Sequence, residues 1–161
     1  MARVKRILAP TDFSDLSKVG IRYAFEMARD VSAEVIVYHA IDVGGEWKDR
    51  QWKDRPPKVA AYHDMLEESR RLLDKFLADN FADCIDLVEV RCAVEFGTPH
   101  KNIVEKAAAE GVDMIVMSTH GRTGLNHIIM GSVAEKVVAR ATCPVLVVPH
   151  DGRRAAVAAA A

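Results

Sequence analysis

Ser118, Gly121, Gly131 and Ser132 stand in the spacing Ser118-x2-Gly121-x9-Gly131-Ser132. An apolar run, Asp113 to Met117, precedes them, and a helical pattern, Val133 to Ala141, follows. Glycines let a backbone come close to a ligand. The first amides of a helix lack internal partners and carry partial positive charge. A glycine loop from a strand end into a helix start is therefore a phosphate cradle, and a nucleotide is the ligand it suits. The loop is not a Walker A element, because no Gly-Lys-Ser/Thr follows, and it is not G-x-G-x-x-G. Gly121 and Gly131 can each offer an amide to phosphate oxygens. Ser132 and Glu135 also read as a capping box, worth about 1 kcal/mol to the helix. A hydroxyl in that role can still donate its own proton to a phosphate.

Other chemistry-bearing residues gather near the same place. Asp12 follows the first apolar segment, where it can hydrogen-bond a nucleotide, help hold Mg²⁺, or cap the turn into a helix. His120 can donate to a phosphate or pack beside the loop. Arg122 can meet a phosphate or only water. His39, inside a continuous apolar run, reads as a core or interface histidine. The three cysteines, Cys84, Cys92 and Cys143, are scattered without a C-x-x-C and read as unpaired thiols rather than a metal or redox site.

The elements that must position these residues alternate. Val4 to Ala9 is a short strand, broken at Pro10-Thr11-Asp12. Ser14 or Asp15 caps a helix whose stripe is Leu16, Val19, Tyr23, Met27 and Val31. Glu34 to Ile41 is a strand covered on both faces. Residues 42–58 hold Gly44-Gly45, Pro56-Pro57, Trp47 and Trp52, and read as a flexible insert loop. That loop is either a lid whose tryptophan closes over a ligand or a surface segment packed locally. A long amphipathic helix from Val59 to Leu77 follows, its charged face carrying pairs such as Glu67–Arg71. Ile85 to Val94 is the third strand. Thr98 caps the next helix with Pro99 at its first position, and Gly111 ends it. Asp113 to Thr119 and Pro144 to Pro149 are the fourth and fifth strands.

Such alternation predicts a doubly wound parallel α/β sheet of five strands with right-handed crossovers and helices on both faces. Ligands of such sheets bind beyond the carboxyl ends of the strands, where strand order reverses. Asp12, the His39–Ala40 pair and the Met117–Gly121 segment all lie at such ends. At 161 residues the chain suits one domain, here residues 1–150, with an Arg- and Ala-rich tail, 151–161, expected to be disordered. A net charge of −1 gives no reason to expect nucleic acid or an anionic membrane as partner. No apolar run is long enough to span a bilayer, and no signal-peptide core is visible, so a cytoplasmic location is expected.

Three segments in order, Ile7-Leu8-Ala9-Pro10-Thr11-Asp12-Phe13-Ser14, the glycine loop, and Cys143-Pro144-Val145-Leu146-Val147-Val148, resemble the universal stress protein family over residues 3 to about 149. The nucleotide-binding branch has a loop of the form G-x2-G-x9-G-[S/T]. Gly121, Gly131 and Ser132 match it, and Ser118 departs from it. The resemblance implies a flavodoxin- or Rossmann-like sheet of order 3-2-1-4-5. It also implies a homodimer through the last strand, Val145, Leu146, Val147 and Val148, an apolar edge that a soluble protein must cover. In the ATP-binding branch, Pro10, Thr11 and Asp12 would border the adenosine and the Ala40 backbone would read adenine. Met117 and Ser118 would flank the ribose. His120, Gly121, Arg122, Gly131, Ser132, Val133 and Ala134 would surround the phosphates. The ligand so implied is ATP, or AMP or ADP, with Mg²⁺ or Mn²⁺ held mainly by the phosphates.

Three function classes follow. The first is a nucleotide-binding stress or signalling module that acts on an unidentified protein partner through its dimer. The second is a slow ATP hydrolase, for which Asp12 and His120 are the available acid–base groups; no residue is assigned a catalytic role. The third is a dimeric interaction module without nucleotide.

Overall fold

In a computed structural model of the chain, the described residues are 3–42, 44, 59–119, 130–149 and 156–158. The elements are β1 (Arg6–Pro10), α1 (Asp15–Val31), β2 (Glu34–Ile41), α2 (Val59–Phe81), a 3₁₀ turn (Ile85–Leu87), β3 (Glu89–Phe96), α3 (Pro99–Glu110), β4 (Met114–Ser118), α4 (Ser132–Arg140), β5 (Val145–Val148) and β6 (Ala156–Ala158). The sheet order is β3-β2-β1-β4-β5-β6. The first five strands are mutually parallel, in the order 3-2-1-4-5 that the resemblance implies. Strand order reverses between β1 and β4, which both start the sheet's two halves.

Alternation along each strand divides the core in two. Ile7, Ala9, Val35, Val37 and Val116 face one side, against Ile21 and Phe25 of α1 and Leu73 and Leu77 of α2. Leu8, Ile36, Tyr38, Ile115 and Met117 face the other, against Ile103 of α3 and Val137 of α4. Burial on both faces is why β2 reads as an unbroken apolar run. Helix α1 begins at Ser14, whose side chain accepts from the Ser17 amide. Helix α3 has Pro99 in its first turn and ends on Gly111, whose φ of 58° is the left-handed conformation a C-terminal glycine supplies. Thr98 holds the cap position of α3 without a side-chain capping bond.

Several details differ from the sequence expectations. Ile85 to Leu87 is not the start of the third strand; it turns as a 3₁₀ segment before β3 opens at Glu89. The charged face of α2 carries an i,i+4 pair of the expected spacing, Lys75–Asp79, but the named example Glu67–Arg71 is replaced by the i,i+3 pairs Glu67–Arg70 and Glu68–Arg71. Ala156–Ala158, inside the tail expected to be disordered, runs antiparallel to β5, with Leu146 opposite Val157. The edge of β5 is thus already paired by the chain itself rather than bare. The insert carrying Trp47 and Trp52 lies outside the described residues, as do His120, Gly121 and Arg122. No helix among the described residues is long and apolar enough to cross a membrane.

Candidate nucleotide-binding site

The carboxyl ends of β1, β2 and β4 and the start of α4 enclose a cavity of about 470 Å³. Pro10, Thr11, Asp12, Ala40, Met117, Ser118, Gly131, Ser132, Val133 and Ala134 all line it. These ten come from four separate stretches of sequence, and the strand reversal between β1 and β4 is what brings them together. Ser17, Tyr38, His39, Ile41, Asp42, Pro99, Ile103 and Thr119 line the same space.

The β1–α1 turn forms the first wall. The Thr11 amide donates to the Tyr38 carbonyl (2.8 Å), tying the end of β1 to β2. The Phe13 amide donates to Thr11 Oγ1 (3.0 Å), Thr11 Oγ1 lies 2.8 Å from Ser17 Oγ, and Ser17 Oγ donates to the Ser14 carbonyl (2.8 Å). Each hydroxyl has one proton, so Thr11 is the donor to Ser17 and the chain of bonds has one direction. Asp12 Oδ1 accepts from the Ser14 amide (3.0 Å) and from the Ser14 hydroxyl. The turn-capping role weighed for Asp12 is therefore present. Phe13 takes a φ of 63°, rare for a bulky residue, and its ring centroid lies 4.2 Å from that of His39 in a tilted contact and 5.5 Å from that of Phe76 edge to face.

The end of β2 forms the second wall. His39 Nδ1 donates to the Thr11 carbonyl (2.9 Å), which places a proton on that nitrogen and orients the ring. His39 is buried, as a core histidine would be, yet it also borders the cavity. Its position one residue before Ala40, at a strand's carboxyl end, was the available signal. Tyr38 donates its hydroxyl to Glu95 Oε2 (3.0 Å). Burial, with the carboxylate of Glu95 adding to it, raises the phenol above its ordinary range and keeps it a donor.

The β4–α4 wall carries the partial positive charge. Gly131, not Ser132, is the N-cap, with φ −69° and ψ 156°. Ser132 is the first helical residue, so Glu135 lies one position too late for a capping box, and no such box forms. The Gly131 amide is also spent, donating to the Thr119 carbonyl (2.6 Å), which corrects the expectation that it faces a phosphate. The first helical bond is Glu135 to the Gly131 carbonyl (2.9 Å). The amides of Ser132, Val133 and Ala134 have no partner among the described residues, and neither has the Ser132 hydroxyl. Among the described residues, these three amides and the hydroxyl at one helix start are left available, a chemistry suited to an anion. Among the described residues no group of three His, Cys, Asp or Glu side chains that could hold a metal ion occurs.

The chain matches the model of the universal stress protein family over residues 3–149. It is 33% identical over 153 residues to universal stress protein MJ0577 of Methanocaldococcus jannaschii, covering 89% of this chain and 94% of that one. Universal stress protein MJ0531 of the same organism is 35% identical over 150 residues, covering 89% and 81%. The solved structure of MJ0577 superposes with a TM-score of 0.73 over 92% of this chain and 97% of that chain, at 30% identity. A universal stress protein solved in complex with cAMP shares the fold at a TM-score of 0.59 and 21% identity, over 92% of this chain and 99% of that chain.

Proposed function

We propose, from the premise that this chain belongs to the universal stress protein family, that it is a cytoplasmic adenine-nucleotide-binding module whose occupancy governs association with a protein partner. The observation that carries this reading is the cavity with three amides of α4 that have no partner among the described residues at one end and the carboxyl end of β2 at the other. An elongated ligand with an anionic tail and a flat apolar head suits such a space. The amides of Ser132, Val133 and Ala134, with the Ser132 hydroxyl, take the phosphates. Ala40 and Ile41 face the base. His120, Gly121 and Arg122 complete the phosphate end in this proposal. ATP is the favoured ligand, with AMP or ADP as alternatives and Mg²⁺ or Mn²⁺ held mainly by phosphate oxygens. That a protein of this fold holds cAMP supports the adenine assignment.

The same reading includes a homodimer through β5, in which the edge now paired by Ala156–Ala158 changes partner. Calorimetric titration of Mg·ATP tests the binding step. The wild type is expected to bind with a micromolar Kd, about −8 kcal/mol. Gly131→Asp, which sets a carboxylate beside the amide array, is expected to weaken binding at least tenfold. Absence of binding by the wild type overturns the proposal.

A further inference from the structure

The buried polar side chains among the described residues are Thr11, Ser17, His39 and Ser118. Thr11 and Ser17 spend their hydroxyls on each other and on the β1–α1 turn, and His39 is anchored on the Thr11 carbonyl. Ser118 differs. It is only 7% exposed and borders the cavity, yet its hydroxyl has no partner among the described residues. A hydroxyl on a cavity wall with no such partner is open to a hydrogen bond from a ligand group.

We propose that Ser118 is a specificity-determining residue that reads a hydroxyl of the ligand's sugar, so that the site selects ribonucleotides over a deoxyribonucleotide. The inference rests on the nucleotide reading above. Ser118 ends β4, and the next residue, Thr119, holds the Gly131 amide that opens the phosphate-binding helix. The group that joins phosphates at α4 to a base at β2 must therefore cross the end of β4. In a nucleotide that group is the ribose. A serine hydroxyl both donates and accepts, so it pairs with a sugar hydroxyl whichever way the proton lies.

The test is titration of ATP, 2′-deoxy-ATP and 3′-deoxy-ATP into the wild type, Ser118→Ala and Ser118→Gly, with thermal unfolding of each variant alongside. In the wild type one deoxy analogue is expected to bind roughly 3- to 10-fold more weakly than ATP. In Ser118→Ala the gap closes, because ATP weakens and that analogue does not. Ser118→Gly is expected to close it as well, without a methyl group to crowd the sugar. A wild type that binds all three equally overturns the proposal and leaves the nucleotide site standing. So does a gap that persists unchanged in both variants. A wild type that binds none of the three overturns the nucleotide reading itself.

Discussion

A Cβ on Gly20 would stand 2.7 Å from the Ser118 amide nitrogen and 2.9 Å from the Met117 carbonyl carbon. Helix α1 lies that close to the end of β4, and the contact is with backbone, which cannot swing aside as a side chain can. Gly20 thus sets the height at which the Met117–Ser118 peptide meets the cavity. Alanine at this position gains about 1 kcal/mol of helix propensity. Overpacking costs about 1–3 kcal/mol, and three backbone atoms at or within 3.0 Å of the added carbon place this case in the upper part of that range. Gly20→Ala is expected to destabilise the fold by a net of about 1–2 kcal/mol in urea unfolding and to weaken nucleotide binding as β4 shifts. An unchanged midpoint would show that α1 slides without resistance.

Ser14 performs two local tasks, capping α1 through the Ser17 amide (3.1 Å) and holding Asp12 Oδ1. Ser14→Ala is expected to cost about 1 kcal/mol. Ser14→Asp keeps an acceptor for the Ser17 amide but sets a second carboxylate beside Asp12. It is expected to restore less than the full loss at neutral pH. Chemical denaturation of the two variants separates the capping bond from the bond to Asp12.

Glu110 is held down to about 2 by hydrogen bonds from Arg91 and Lys106, at N–O distances of 2.7 and 3.2 Å. Glu34, in the same cluster, is pulled below its ordinary value: burial opposes the shift, and the hydrogen bonds from Arg91 and Arg6 outweigh it. For a carboxylate depressed on folding, the unfolded chain binds more protons, so stability rises with pH across the window. This contribution is fully present above the ordinary value of 4.5 and is lost as pH falls towards 2. Glu110→Gln is expected to flatten the stability–pH curve between those limits while leaving nucleotide affinity unchanged. The cluster lies at the amino ends of β1 and β2, away from the cavity. A curve as steep as the wild type's would mean that other carboxylates dominate acid unfolding.

The parallel order was legible because Glu34 to Ile41 and Met114 to Ser118 are apolar without alternation, which only a strand covered on both faces requires. Positions at strand ends followed from that order, and ten of the expected residues do line one cavity. Local chemistry was harder to read. Ser132 is the stronger capping residue by type, yet Gly131 occupies the cap because its amide is tied to Thr119, a contact between positions twelve apart that no local pattern reveals. Ile85 to Leu87 carries the apolar character of a strand but only turns, since β3 pairs with β2 from Glu89 onward. Ser17 could not be read as a cavity residue, because a serine on a helix gives no periodic signal. The family itself was legible from three separated motifs, and the family match over residues 3–149 agrees.

The pairing of β6 with β5 bears on assembly. Val145 lies opposite Ala158, Leu146 opposite Val157 and Val147 opposite Ala156, so the tail occupies the edge through which two copies of β5 would pair. Both partners offer the same backbone donors and acceptors, and an edge strand can satisfy only one of them. The tail is tethered, which favours it at low protein concentration; in the proposed dimer a second copy would bring four apolar residues and prevail as concentration rises. Removal of residues 150–161 is therefore expected to shift the monomer–dimer midpoint to lower concentration, read by sedimentation velocity across a dilution series. Val147→Pro, which removes a backbone donor from the outer edge of β5, is expected to weaken both pairings and leave the truncated chain monomeric. If truncation weakens the dimer, β6 is a part of the interface and not its competitor.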